Sequence, residues 1–372
     1  MKKTLTLLAL TISFNVNAQM TDNSSGTSAG GDYSVAMGSD TTASGYASTA
    51  MGNNTYATAG SSTAMGIATE ASGGGSTAIG WQTKAVGTRS TAMGYQSEAQ
   101  GINSTAMGYL TLAAGMGSIA MGENTQAAGN NSTSMGQNTQ ASGNESTAMG
   151  YLTHAEAVYS TAMGNQTIAT GWASTAMGTN TEADGLGSSS MGVYTKASDY
   201  GSLAIGHYNL LGSTATTSNN EFSSANTAFV VGNGTDENNR ADAFVVMFNG
   251  DATLAGNLSV NSDARLKSNI ISLGSTMSKL LEVDGKSYIM KRDEKKEPKI
   301  GLLAQDIEKV FPELVSESNG IKSVNYQGLV PVLINALKEQ DVKMKEQQAE
   351  LESLKDQEKR IDRLEKLIAQ LD

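Results

Sequence analysis

The 372-residue chain contains no cysteine. That excludes disulfides, thiol nucleophiles and thiolate metal sites. Two histidines, His154 and His207, are too few for a His-based metal centre. Neither a metal site nor a cofactor is expected. Aromatic residues make up 5%, too few for large globular cores, and 3 prolines stand beside 41 glycines. That mix points away from a Pro-rich disordered linker and towards something repetitive and tightly wound. Positive charge is scarce over residues 19–261, with 4 Lys/Arg against 16 Asp/Glu, whereas residues 262–372 carry 19 against 20. The first stretch therefore repels nucleic acid and anionic membranes. Long apolar runs are missing as well. The stretch Leu5 to Phe14 is too short to span a bilayer, and no later segment could cross as a helix. With Lys2 and Lys3 before it and the small residues Val16 and Ala18 behind it, this stretch reads as a signal peptide. Cleavage is expected between Ala18 and Gln19, with export of the mature chain.

What the chain has instead is a fixed period. Met37, Met51, Met65, Ile79, Met93, Met107, Met121, Met135, Met149, Met163, Met177, Met191 and Ile205 are each followed by Gly and are spaced by 14 residues. Three residues before each stands Ser, from Ser34 to Ser202. One residue before stands Ala, replaced by Ser only at Ser134 and Ser190. In the twelve complete repeats, four after comes Thr, or once Ser97, and six after comes Ala, from Ala43 to Ala197. An unbroken period means stacked coils, one per repeat. Fixed small residues alternate with freer ones, which means strands with one face in and one out. The fold class expected is mainly β: a flattened, parallel β-solenoid with a narrow Ser/Thr/Ala interior. Coils stacked at about 4.8 Å would give a rod roughly 60 Å tall.

The Met/Ile column belongs to the outward set. A column of large apolar side chains cannot be left in water. Self-association along it, as a cyclic homo-oligomer, is the simplest remedy. Freer positions such as Trp81, Lys84, Arg89, Tyr95, Tyr109, His154 and Trp172 decorate the solvent face. The repeat over residues 34–207 resembles the head repeat of YadA-type trimeric adhesins. That resemblance implies a left-handed β-roll assembled as a trimer, presented at a surface, with a host glycan or matrix protein as ligand. Those adhesins end in a stalk and a membrane β-barrel. Alternating C-terminal strands of that kind are not seen, so such an anchor is not expected.

Downstream, residues 212–261 read as a β-hairpin neck with strands at Ala228–Val231 and Ala243–Phe248 and turns at Gly232-Asn233-Gly234 and Asn249-Gly250. From Ser262 onward the composition is that of an ordinary α+β domain. Leu266 to Leu281 has helical spacing, IGLLAQDIEKVFPELV (300–315) holds a helix stopped by Pro312, and VNYQGLVPVLINALKEQ (324–340) starts another. That helix continues in heptads: Val330, Leu337, Met344 and Leu351, with Leu333 and Leu354 on the same seam and Gln340 and Gln347 interrupting it. A set Ile361, Leu364, Ile368 and Leu371 follows a shift in phase. A parallel coiled coil over 341–372 is the natural reading.

The stretches SDARLKSNI, IGLLAQDIEKVFPELV and VNYQGLVPVLINALKE resemble, in that order, the endosialidase-type intramolecular chaperone at the C-terminus of phage tail spikes and fibres. The resemblance implies trimerisation, assistance to the β-rich region before it, and self-cleavage at the Ser of a Ser-Asp-x-Arg-x-Lys motif. In this sequence that is Ser262, Asp263, Arg265 and Lys267, with Asn261–Ser262 as the bond cut. Spacing alone would not single out Ser262 and Lys267, since both residue types are common. The chemistry is coherent: a Ser hydroxyl needs a base, and a Lys serves if burial keeps it neutral. The Lys could come from the same chain or a neighbour. At most this is a single-turnover serine autopeptidase. Two alternatives share the same sequence: a non-cleaving trimeric scaffold, and a spike that degrades external glycans, for which the repeats offer no distinct carboxylate pair.

Overall fold

The computed structural model describes residues 20–21, 25–214, 218–291 and 296–370. The signal-peptide junction Ala18–Gln19 and the last seam residue, Leu371, lie outside them. The chain divides into two compact units, Met1–Leu258 and Ser259–Asp372.

The first unit is a β-solenoid. Each coil has one five-residue strand, from Val35–Ser39 to Leu203–His207, and one two-residue strand, from Ser28–Ala29 to Lys196–Ala197. Like pairs with like in successive coils: Ala92 with Ala106, Met93 with Met107, Gly94 with Gly108. The solenoid begins upstream of Ser34, because Ser28–Ala29 already pairs with Thr42–Ala43. Both Ala columns are fully buried, as are the Ser and Thr columns. The Ser column closes a turn. Ser48 Oγ donates to the Gly45 carbonyl at 2.7 Å and Ser104 Oγ to that of Gly101 at 2.6 Å. These turns bring the backbone of one coil so close to the next that only glycine fits after Met. At Gly108, with φ +136, an added Cβ would lie 2.0 Å from the Gly122 carbonyl oxygen.

The solenoid is closed at its C-terminal end. Thr227–Asn233 pairs in parallel with Leu203–His207, then in antiparallel with Asp242–Met247, which pairs with Ala252–Leu254. The expected hairpin is therefore an added rung of the roll plus two antiparallel strands. Gly232, read as a turn residue, lies in the strand opposite Gly206 instead. It has the place of the Gly after Met, and Val231 that of Met. Asn209 stands where other coils carry Thr. Its Oδ1 accepts from Lys196 N–H at 2.8 Å and its Nδ2 donates to the Lys196 carbonyl at 3.0 Å. The side-chain amide thus replaces the backbone of the coil that does not follow.

In the second unit, helix α1 spans Met277–Leu280, α2 Ala304–Val310 and α3 Leu329–Ile368. The helical spacing over Leu266–Leu281 yields only a 3-10 turn at Ala264–Leu266 and the single turn of α1. Asn269 and Gly274 adopt φ +53 and +66, which break a helix between them. The core gathers Ile307, Val310, Phe311 and Leu314 against Leu329 and Val332 of α3. A hairpin, Val315–Ser318 with Ile321–Val324, turns through Asn319-Gly320, both at positive φ. Helix α3 is 40 residues long, far beyond the three buried residues Leu329, Val332 and Ala336 that fix it to the core.

Candidate functional site

The segment before the second unit's first turn has no regular structure, and Leu258 and Val260 are exposed. Asp263 then caps the 3-10 turn. Its Oδ1 accepts from Arg265 N–H at 2.9 Å, and its Oδ2 from Arg265 Nη2 at 2.6 Å. The Arg265 guanidinium, followed by its backbone amide, holds the Asp263 carboxyl below the usual carboxylate value. The pair lies in solvent, with Arg265 88% exposed, so it contributes geometry rather than much stability. At the far end of the turn, Lys267 N–H donates to the Ala264 carbonyl at 3.1 Å. Ser262 and Lys267 thus flank one tight turn. Lys267 Nζ reaches back to Ser262 Oγ at 2.6 Å within the same chain.

The turn is tied to α3 through the segment that follows. Glu339 Oε2 accepts from Ser275 Oγ at 2.6 Å, and Oε1 from Thr276 N–H at 2.5 Å. Thr276 Oγ1 donates to the Val332 carbonyl at 2.8 Å, and Asn335 Nδ2 to that of Gly274 at 3.2 Å. The Ser275 hydroxyl, then the Thr276 amide, hold the Glu339 carboxyl below its ordinary value. Sequence reasoning missed Glu339. Nothing local marks it, because its partners lie 63 and 64 residues away.

Chemically, the arrangement brings a hydroxyl and an amine into hydrogen-bond contact. An ammonium donating to Oγ is the reverse of what a general base does; a neutral amine must accept the Oγ proton. Burial would favour the neutral amine, but Asn261 through Lys267 are all exposed. Leu266, Ile270 and Ile271 beside them are exposed by 72%, 67% and 86%. Among the described residues, no three His, Cys, Asp or Glu gather as a metal site would require.

The other residues singled out lie on the roll. The Met/Ile column stands on the outer face, one residue from the buried Ala column, and aligns from coil to coil. Trp81, Tyr95 and Tyr109 stack on one another, and Trp172 meets Tyr159 edge to face. Lys84 pairs in register between Glu70 and Glu98, and His154 between Gln140 and Ile168.

With this geometry in hand, two family models match the chain. Residues 29–209 match the YadA head domain repeat, in nine windows broken only at positions 56, 84 and 112. Residues 262–316 match the chaperone of endosialidase, starting at Ser262 itself. The chain carries YadA head repeats followed by an endosialidase chaperone domain. A stretch of 97 residues, 24% of the chain, is 29% identical to long tail fiber protein Gp37 of Escherichia phage AR1. One of 117 residues, 29% of the chain, is 29% identical to Gp37 of Salmonella phage S16. These matches span 9% and 16% of those relatives. Among the described residues, no helix is long and apolar enough to cross a membrane.

Proposed function

We propose that the chain is an exported, homotrimeric fibre of adhesin or tail-fibre type, whose chaperone domain drives its assembly and then cuts itself away. The observation that carries this reading is the 2.6 Å contact between Lys267 Nζ and Ser262 Oγ. It lies just downstream of Leu258–Ser259, where the chain divides into its two units. Cutting there separates the units at their natural boundary. Neutral Lys267 takes the Ser262 proton as Oγ attacks the Asn261 carbonyl carbon. The C–N bond breaks, the Ser262 nitrogen takes up the proton, and an ester joins Asn261 to Ser262 Oγ. Water hydrolyses the ester, leaving a carboxylate on Asn261 and the free hydroxyl and amine of Ser262.

Trimerisation supplies what one chain does not. Val330, Leu333, Leu337, Met344, Leu351 and Leu354 form an exposed seam on α3, on a different face from Leu329, Val332 and Ala336. Among the described residues nothing covers that seam, and the Met column stays half-exposed. Parallel association would bury both. It would also bring cover to Leu266, Ile270 and Ile271, and so dry the Lys267 amine. The name shared by both relatives, a long tail fibre, supports a fibre presented at a surface. The full exposure of the motif favours one other reading, a trimer that never cuts itself.

The test compares the chain with Ser262→Ala by denaturing gel and intact mass. Two fragments are expected from the parent, the smaller beginning at Ser262, and one full-length species from the variant. A parent that stays full length while its trimer forms refutes self-cleavage and leaves the scaffold.

A further inference from the structure

We propose that the coils bearing Trp81, Tyr95 and Tyr109 form a binding site for a neutral polysaccharide. The proposal rests on the reading of the roll as an outward-facing fibre, and not on self-cleavage. These three residues stand two positions after Ile79, Met93 and Met107. Their ring centroids are 4.3 and 4.8 Å apart, with the second pair nearly parallel at 16°. That is the spacing of paired strands, so the backbone itself holds the rings in contact. A wall fixed this way loses little conformational freedom when a ligand settles on it. Trp81 and Tyr109, at the ends of the stack, remain 37% and 47% exposed.

In the columns that follow the stack along the chain lies a cleft of about 450 Å³ lined by Ala68, Gln82, Lys84, Gln96 and Glu98. It opens because Ala68 occupies a column filled by Asn54, Gln82 and Gln96 in adjoining coils. Its polar groups are oriented. Gln96 Nε2 donates to Gln82 Oε1 at 2.6 Å, and Gln100 Nε2 to Glu98 Oε1 at 2.9 Å. The rings do not line the cleft; Trp81 precedes Gln82 and Tyr95 precedes Gln96, so rings and polar groups occupy adjoining columns of the same coils. A saccharide presents the matching pair of surfaces, apolar C–H patches for the rings and hydroxyls for the amides and carboxylate. Glu70 and Glu98, in register on either side of Lys84, turn away a polyanion.

This patch does not belong to the self-association face. The Met/Ile column is uniform along the roll, whereas the aromatic column continues as Glu123 and Gln137. In a parallel three-fold assembly each residue of the seam meets its own copies. Glu123 there would bring three carboxylates together, which is costly. The column therefore faces solvent.

The chain has two tryptophans, so Trp172→Phe leaves Trp81 as the sole indole emitter. That protein is titrated with cellohexaose, maltohexaose and chitohexaose, and separately with polygalacturonate and gelatin. A saturable change in Trp81 emission is expected with at least one neutral hexamer. It should weaken about tenfold or more in Tyr95→Ala and in Gln96→Ala, and stay unchanged in Tyr159→Ala. Circular dichroism and sedimentation of the same samples report fold and assembly, so lost binding on an intact trimer is distinguished from failure of the fibre reading. The proposal falls if no neutral hexamer moves the emission. It falls equally if only polygalacturonate or gelatin does, or if Tyr95→Ala binds like the parent.

Discussion

Replacing Gly108 by Ala should damage the roll far more than the same change at Gly187. Gly108 has φ +136, a region almost closed to residues with a Cβ, at a strain of ~1–3 kcal/mol. Its new Cβ would also lie 2.0 Å from the carbonyl oxygen and 2.9 Å from the carbonyl carbon of Gly122. Those atoms belong to backbone held in register on both sides, so they cannot swing away as a side chain would. Forcing them apart adds roughly 1–3 kcal/mol, the ordinary cost of overpacking. The sum, about 4 kcal/mol, falls in the rare severe class. Gly187 offers the contrast. It has φ +67, and a Cβ there would meet nothing within 4 Å. The same column holds Arg89, Asn103, Glu145 and Tyr159 at φ between 57 and 62. Ala at 187 should therefore cost only about 1 kcal/mol, the left-handed penalty alone. Denaturant unfolding of both variants beside the parent measures the two losses, and limited proteolysis shows whether the first opens the roll near coil 108. Equal losses would refute the argument that inter-coil backbone contact is what demands glycine.

Leu351→Asp should abolish or sharply weaken self-association, seen as a shift to monomer in sedimentation, because it sets a carboxylate in the exposed apolar seam of α3. Glu339→Ala should speed amide exchange at Thr276 and Met277, whose N–H groups its carboxylate accepts. Because the Glu339 carboxyl is held below its ordinary value, its contribution is present above about pH 4.3 and is lost as pH falls through the lower folded value. Exchange corrected for intrinsic rates should therefore rise selectively at those amides below that pH in the parent, and not in the variant. Ala148→Ser should be neutral or stabilising by up to about 1 kcal/mol, whereas Ala148→Val should cost roughly 1–3 kcal/mol. Ser134 and Ser190, in the same column, bond Thr139 and Thr195 at 2.7 and 2.9 Å, while Thr153 beside Ala148 has no partner for its buried hydroxyl. Thermal unfolding of the two variants distinguishes them.

The roll was legible because every coil repeats the same decision. Thirteen Met/Ile-Gly steps at one spacing fix both the period and which residues turn inward. Its end was harder to read. Val231-Gly232 continues the Met-Gly column, but 26 residues after Ile205 rather than 14, so the inserted loop hides it from a periodic reading. Asn209 was visible as a break in the Thr column, yet only the closing rung shows why an amide is needed there. Helical spacing over Leu266–Leu281 misled, because apolar residues recur there without a packed face to recruit them: Leu266, Ile270 and Leu273 are all exposed. At the motif, the turn built by Asp263 and Arg265 follows from residues two apart. The clamp from Glu339 does not, since it exists only after α3 has packed against the segment before α1.

Uniformity helps one chain to fold and would hinder the three chains of the proposed trimer in finding each other. In a parallel trimer of these rolls, slipping one chain by a coil sets Met93 beside Met107, and away from the ends only Ile79 marks the change along the Met column. Registers 14 residues apart then differ by little more than the contacts of one coil. The seam of α3 lacks this degeneracy. Leu333, Gln340, Gln347 and Leu354 occupy successive layers, so a slip of seven sets Leu333 against Gln340 and Gln347 against Leu354. Each such layer strands an amide in an apolar ring, at a cost of about 1–3 kcal/mol. In the proposed trimer, register would thus be specified on the helix and merely propagated on the roll. Once the coils of such a trimer had zipped, unzipping them would require breaking every rung, and the helix would have no further part in holding them. On the proposed reading, a domain needed to start assembly and unnecessary to maintain it could be cut off without loss, and its removal would take away the route by which the chains would separate and rejoin out of step.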